Sequence, residues 1–343
     1  MSASIFSYLG SFSGPVLFVT IMLLIWILCT GADLLVDEAA ALSARFGISK
    51  LLVGLVIVSI GTTIPEAAVS VIAAVNGQPE IALGNAVGSI ICNTGLILGL
   101  VTLFAPISLD SPSVKRQGWF QFAAGILLVA SCVPFFTTDR FFETSVLLPR
   151  YMGMVFLILL VLYLWGSFHW LDTKPRRNTR PHDLQTMDTG TFFAVFKIIL
   201  GSGLVVSASH FLIPAIQVSA VRMSIPQGVV SATMVAFGTS LPELVTSIKA
   251  VQKGHGELAL GNIIGANILN VLFVAGAAAT ITSGGLAGTV HFSRVLFPAM
   301  LGTLIIFGLG MHLSGNVFKK SFSIMLLGIY AVVMLTSYFG MAA

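Results

Sequence analysis

Charged side chains are scarce in this chain. Asp, Glu, Lys and Arg make up 9% of its 343 residues, where a soluble domain carries roughly 25%. That scarcity excludes a water-soluble fold and leaves a protein of many membrane spans, in keeping with 56% hydrophobic residues and a mean hydropathy of +1.00. The small basic excess, net charge +4 and pI near 9.1, does not point to nucleic acid. Its Lys and Arg lie in short loops between apolar runs, where membrane topology accounts for them. Cysteine is also rare. Cys29, Cys92 and Cys132 all lie inside apolar stretches, without the number or spacing of a disulfide framework or a thiolate metal site. They read as small apolar filler. His182, His255 and His291 are loop residues, and the histidines show no metal-binding spacing. No basic residue precedes Arg45, so the first apolar run lacks the charged flank of a cleavable signal peptide and is long enough to span. No segment alternates with period two, which argues against a β-barrel.

What the sequence has is apolar segments near the roughly 20 residues a spanning helix needs. Ten can be read, at about 14–39, 51–75, 81–104, 117–137, 146–170, 192–217, 226–250, 258–282, 290–312 and 321–341. The expected fold is therefore an all-α polytopic membrane protein with ten transmembrane helices. With the N-terminus outside, 13 Lys and Arg fall in inner loops and 4 in outer ones. Both termini are thus expected outside, in a multi-pass protein of the cell (inner) membrane.

The chain also repeats itself. Gly61-Thr62-Thr63-Ile64-Pro65-Glu66 recurs as Gly238-Thr239-Ser240-Leu241-Pro242-Glu243. Gly84-Asn85-Ala86-Val87-Gly88-Ser89, running on to Asn93, recurs as Gly261-Asn262-Ile263-Ile264-Gly265-Ala266, running on to Asn270. Every pair is 177 positions apart, without a gap from Ser59 to Leu100, and 16 of those 42 positions are identical. Five helices per repeat is an odd number, so the second copy enters the membrane from the opposite face. This predicts two inverted five-helix repeats related by an axis in the membrane plane. The first covers 1–170 and the second 192–343, with a cytoplasmic linker at 171–191.

The motifs carry oxygen chemistry. Pro65 removes one backbone donor and frees carbonyls near Gly61 and Thr62, while Gly61 loosens the helix. Freed carbonyls within a membrane survive only where something satisfies them, and a cation can do so. Thr62 and Glu66 share a helical face, with Ser59 and Thr63 close by. The second copy offers Thr239, Ser240, Glu243 and the carbonyl region at Ala236. These hard oxygens suit Na⁺ or Ca²⁺ rather than a soft metal. A carboxylate at the bilayer centre costs roughly 2.5–3.5 kcal/mol, and two facing each other repel, so a cation or a proton must neutralise them. Asn93 and Asn270 can ligate a cation without adding charge, and Ser89 shares the face of Asn93. Asn85 and Asn262 read equally as ligands or as interhelical hydrogen-bonding groups. The Gly84/Gly88 and Gly261/Gly265 pairs read as close helix packing. Asn267 matches Ile90 and falls outside the core set. Asp37 and Glu38 read as interfacial; Asp33 and His210 read as lining an access route or titrating, or as solvated or paired at a helix end.

Two runs of Gly-Thr-Ser/Thr-x-Pro-Glu, each followed by Gly-Asn-x-x-Gly, resemble the paired α-repeats of the calcium/cation antiporter superfamily, in the form of its prokaryotic sodium/calcium exchangers. The resemblance implies Ca²⁺ export against Na⁺ entry by alternating access. It implies a core of Glu66, Asn93, Glu243 and Asn270. Thr62, Thr63, Thr239, Ser240, Ser89 and the backbone oxygens of Ser59 and Ala236 surround that core. The chain departs from the family pattern at Asn270, where an acid is frequent, at Ala266, where serine is usual, and at Thr63, where the first repeat usually has serine. The core then carries formal charge −2, which one Ca²⁺, two Na⁺ or two H⁺ would balance. The rivals are an H⁺-coupled exchanger of the same fold, a passive cation channel and an intramembrane hydrolase. No enzyme activity and no cofactor is expected. The expected partners are the ions and the lipid bilayer, with no nucleic acid and no obligatory protein partner, so a monomer.

Overall fold

The computed structural model describes residues 2–109, 111–133, 145–169, 191–223 and 237–340. The helices are α1 (Ser2–Gly10), α2 (Gly14–Phe46), α3 (Lys50–Val75), α4 (Pro79–Phe104), α5 (Pro112–Cys132), α6 (Arg150–His169), α7 (Thr191–Arg222), α8 (Leu241–Gln252), α9 (Gly256–Ile281), α10 (Phe292–Leu313) and α11 (Lys320–Gly340). Seven of them, α2, α3, α4, α6, α7, α9 and α10, are long and apolar enough to cross a membrane. Two short strands, β1 (Val146–Leu148) and β2 (Leu286–Gly288), pair antiparallel with Leu147 opposite Ala287.

Several boundaries differ from the sequence expectation. Residues 146–148 are strand rather than the start of a span, because Pro149 delays the helix to Arg150. Helix α2 runs on to Phe46, where Gly47 closes it in the left-handed conformation at φ 64°. Helix α1 was not expected; it packs on α7, and Arg222 donates to the carbonyls of Gly10 at 2.9 Å and Phe12 at 2.6 Å. The linker expected at 171–191, apart from Thr191, and the first half of the segment expected at 226–250 lie outside the described residues.

Burial ranks the helices. In α9, 94% of the most apolar window is buried, against 28% in both α2 and α7. So α9 is the central helix, while α2 and α7 lie against each other at the periphery with a separate small core of Leu28, Ala32, Val205, Ala208 and Leu212. The centre is tight because glycine permits it. A Cβ on Gly54 of α3 would strike the Leu258 carbonyl of α9, and one on Gly261 of α9 would strike the Leu51 carbonyl of α3. Backbone thus touches backbone, and both repeats' motif helices share one core with α4 and α9.

Contacts recur at matching places in the two halves. The stretch after α9 pairs as β2 with β1, just ahead of α6. The stretch after α4 forms an antiparallel bridge, Ser108 with Val317, just ahead of α11. Each half therefore hands its third long segment to the connection that precedes the other half's last helix.

Candidate cation site

The site is built where α3 and α4 meet α8 and α9. Each of α4 and α9 winds through a π-helical turn at the motif asparagine, Cys92–Leu98 in α4 and Asn270–Ala275 in α9. A third such turn, Gly54–Val58, runs up to Ser59 in α3. A π turn inserts one extra residue and shifts carbonyls out of their usual bonds, which is why such turns gather at functional sites. The π turn of Asn93 packs on α8, which carries Glu243, and the π turn of Asn270 packs on α3, which carries Glu66. Each carboxylate-bearing helix therefore meets the π turn of the opposite repeat.

Ten of the eleven expected site residues are described, and the structure buries all ten. Ser59, Thr62, Glu66, Ser89, Asn93, Glu243 and Asn270 are 0% exposed, and Thr239, the most accessible, is 7%. Thr63 and Ser240 are also buried. Ala236 lies outside the described residues. Thr63 Oγ1 donates to Glu243 Oε1 at 3.4 Å, with Thr62 also beside that carboxylate. In mirror image, Ser240, Thr239 and the Glu243 carboxylate surround Glu66. Ser89 and Thr239 bring their hydroxyls to 3.4 Å, and Thr62 Oγ1 reaches the Ser59 carbonyl at 3.4 Å.

The polar atoms left over decide what the site can do. Both oxygens of Glu66, Oε2 of Glu243, both amide atoms of Asn93 and of Asn270, and Oγ of Ser240 are buried without a hydrogen-bond partner. Buried polar groups are almost always satisfied, and an unpaired buried charge is very costly. Five oxygens belonging to four of these residues, gathered from both repeats, fit a hard cation as the missing partner. Among the described residues, no three His, Cys, Asp or Glu side chains gather as a metal site. The cage therefore owes its donors to amides and hydroxyls as well as to its two carboxylates, a poor set for a soft transition metal.

The two prolines do different work. Pro65 lies inside an unbroken helix, so the Gly61 carbonyl loses its donor four residues on. Pro242 sits in the first turn of α8, after a turn at Ser240, where a missing N–H costs nothing. A Cβ on Gly61 would lie 2.6 Å from Ser202 Oγ, so glycine there also admits α7 close to α3. Asn85 and Asn262 are interhelical hydrogen-bonding groups with partners on both amide atoms.

The acidic residues of α2 lie apart from the site. Asp33 pairs with Lys249 at 2.8 Å and Lys253 at 3.0 Å, Asp37 with Lys253 at 2.8 Å, and Glu38 with Lys197 at 2.7 Å. His210 is exposed with its ring against Phe211. Two residues the sequence reading left aside lie close in. Cys92 stands beside Ser240, Glu66 and Glu243. Asn267 donates to Thr94 Oγ1 at 2.8 Å and keeps its own Oδ1 buried and unpaired. The repeat could not signal either, since Leu269 and Ile90 are their counterparts.

A multi-pass helical membrane protein with a buried, two-carboxylate oxygen cage made by both halves of the chain defines a class of cation carriers. The family described as "Sodium/calcium exchanger protein" matches residues 16–169 and 193–339, and the chain belongs to that family, within the calcium/cation antiporters. The inner membrane protein YrbG of Escherichia coli is 35% identical over 287 residues, covering 81% of this chain and 83% of YrbG. The sodium/calcium exchanger MaX1 of Methanosarcina acetivorans is 27% identical over 293 residues, covering 76% of this chain and 81% of MaX1. The solved sodium-calcium exchanger NCX_Mj, soaked with 2.5 mM Na⁺ and 0.1 mM Ca²⁺, has the same fold, with a TM-score of 0.75 at 24% identity over 94% of this chain and 98% of that one.

Proposed function

We propose that this antiporter moves Ca²⁺ out of the cytosol against the downhill entry of Na⁺, by alternating access at the cage between α3, α4, α8 and α9. Glu66 and Glu243 bridge the divalent ion, and Asn93 and Asn270 complete its shell through their amide oxygens. Thr62, Thr63, Thr239, Ser240, Ser89 and the carbonyls of Ser59 and Ala236 hold Na⁺ at flanking positions. Both ions need the same oxygens, so each excludes the other, and that competition suffices for coupling. The chain works as ten spans in two inverted halves, 1–170 and 192–343, joined by the linker at 171–191 on the cytosolic side, with both termini outside and no second subunit required.

The observation that carries this reading is the set of unpartnered buried oxygens on Glu66, Glu243, Asn93 and Asn270, two residues from each half. Proteoliposomes loaded with Na⁺ and given external radiolabelled Ca²⁺ test it, beside vesicles loaded with K⁺ and vesicles carrying only a pH gradient. Uptake with internal Na⁺ alone supports the reading. Uptake driven only by the pH gradient would make the proton the counter-ion, and Ca²⁺ flux independent of every gradient would make the protein a passive pore.

A further inference from the structure

Two buried side chains outside the cage form a matched pair. Asn85 and Asn262 occupy the same place in the two repeats, each 1% exposed. Each donates its amide within its own half. Asn85 Nδ2 reaches Ser70 Oγ at 2.9 Å and the Glu66 carbonyl at 3.1 Å. Asn262 Nδ2 reaches Thr246 Oγ1 at 3.1 Å and Ser247 Oγ at 3.2 Å. Each accepts from the other half: Thr239 Oγ1 donates to Asn85 Oδ1 at 3.1 Å, and Thr62 Oγ1 to Asn262 Oδ1 at 3.2 Å. Ser70 and Ser247, like the two threonines, are related by the 177-residue offset.

A hydroxyl has one hydrogen and two lone pairs. Donating the hydrogen to the Asn262 oxygen leaves the lone pairs of Thr62 facing elsewhere, toward a cation in the cage. Thr62 has other acceptors at hand, the Ser59 carbonyl at 3.4 Å and the Glu243 carboxylate. Without Asn262 its hydrogen turns to one of these and occupies an oxygen of the cage itself. The four core side chains make no hydrogen bond to either asparagine side chain.

We propose that Asn85 and Asn262 are positioning residues that set the affinity for the monovalent counter-ion while leaving the divalent ion's affinity nearly unchanged. They act by fixing the hydroxyls of Thr239 and Thr62 across the repeat interface. The proposal rests on the Na⁺-coupled reading above. The two sides are not equal: Thr239 also has Ser89 at 3.4 Å, whereas Ala266, at the position matching Ser89, brings no hydroxyl to Thr62. Asn262 is therefore the stronger lever.

The test uses the full chain in proteoliposomes and measures the half-saturating Na⁺ concentration and the Ca²⁺ KM side by side. Asn262→Leu is expected to weaken Na⁺ by about tenfold, the value of one positioned hydrogen bond, with the Ca²⁺ KM within about twofold of wild type. Asn262→Asp keeps an acceptor oxygen and is expected to recover most of the Na⁺ affinity. Thr62→Val combined with Asn262→Leu is expected to be no worse than Thr62→Val alone, because both remove one device. If Asn262→Leu is not obtained as folded, monodisperse protein, Asn262→Ser, too short to reach Thr62, takes its place with the same expected split. Equal loss for both ions, additive effects in the double variant, or an unchanged Na⁺ response overturns the proposal. A wild-type protein whose Ca²⁺ uptake ignores Na⁺ altogether is a different failure, since it removes the coupling reading on which the proposal stands.

Discussion

Thr63 Oγ1 donates to Glu243 Oε1 at 3.4 Å, a contact between residues 180 positions apart. It belongs to a crossed arrangement. Glu243 lies beside the threonines of the first repeat, and Glu66 beside Thr239 and Ser240 of the second. Neither repeat supplies all of these residues, so under the proposed function a shift of one repeat against the other would change every ion contact at once. That is the property alternating access requires.

Replacing either carboxylate with its amide should abolish exchange. Glu66→Gln and Glu243→Gln keep shape and remove one of the two charges that face a divalent ion. Losing one member of a buried charge pair costs about 2–5 kcal/mol, so Na⁺-driven Ca²⁺ uptake is expected to fall by about 30-fold or more in both. Near-wild-type uptake in either variant would remove that glutamate from the cage.

The asparagines should be equivalent despite lying in different repeats. Asn93 and Asn270 both present two buried, unpartnered amide atoms. Asn93→Ala and Asn270→Ala are each expected to raise the Ca²⁺ KM by about tenfold, the value of one neutral ligand. Measured under identical gradients, the two factors should agree within about threefold. A large effect at Asn93 with none at Asn270 would mean that the second-repeat asparagine is not a ligand.

Helix contact at the centre gives a stability prediction. Gly261→Ala puts a methyl group against the Leu51 carbonyl, whereas a Cβ on Gly203 meets nothing within 4 Å. The clash is with backbone, so α3 and α9 must separate. The expected cost is about 1–3 kcal/mol, seen as a lower Tm in detergent, with Gly203→Ala unchanged or slightly more stable. Equal Tm values for the two would show that the helices do not meet as closely as described.

The two motifs were legible because the same residues recur at one offset, and repetition separates a site from packing. Ser70 and Ser247 carry that signal too, as supports for the asparagines. The π turns at Asn93, Asn270 and Gly54 left no trace, since their dihedrals are near helical and no residue type marks them. Asn267 carries no such signal because its counterpart is Ile90, so repetition, which marks the motif residues, leaves their asymmetric neighbour unmarked. Pro65 and Pro242 look alike in sequence yet fall inside one helix and at the start of another. Only the path of the chain before each proline decides that. Strand β1 was absorbed into the apolar run ahead of α6 because Val146, Leu147 and Leu148 are as apolar as a span.

The remaining prediction concerns the ion pairs that tie α2 to α8. Partial burial works against the charge of Lys253, but its hydrogen bonds to Asp37 and Asp33 outweigh that and hold its ammonium above the ordinary lysine value of 10.5. A folded-state value above the unfolded one means that the stabilisation is fully present below the unfolded pKa and is lost as pH rises through the folded value. The Tm difference between wild type and Lys253→Gln should therefore stay constant from about pH 7 to 9 and close only above about 10.5. It should also be small. The side chains of Lys253, Asp33 and Asp37 are 27%, 37% and 60% exposed, which limits the network to about 1 kcal/mol or less and lets salt screen it. Thermal unfolding across that pH range, at low and high salt, reads both features. A gap that widens toward alkaline pH, or that salt leaves untouched, would mean that Lys253 stabilises the junction by packing its stem rather than by pairing its charge.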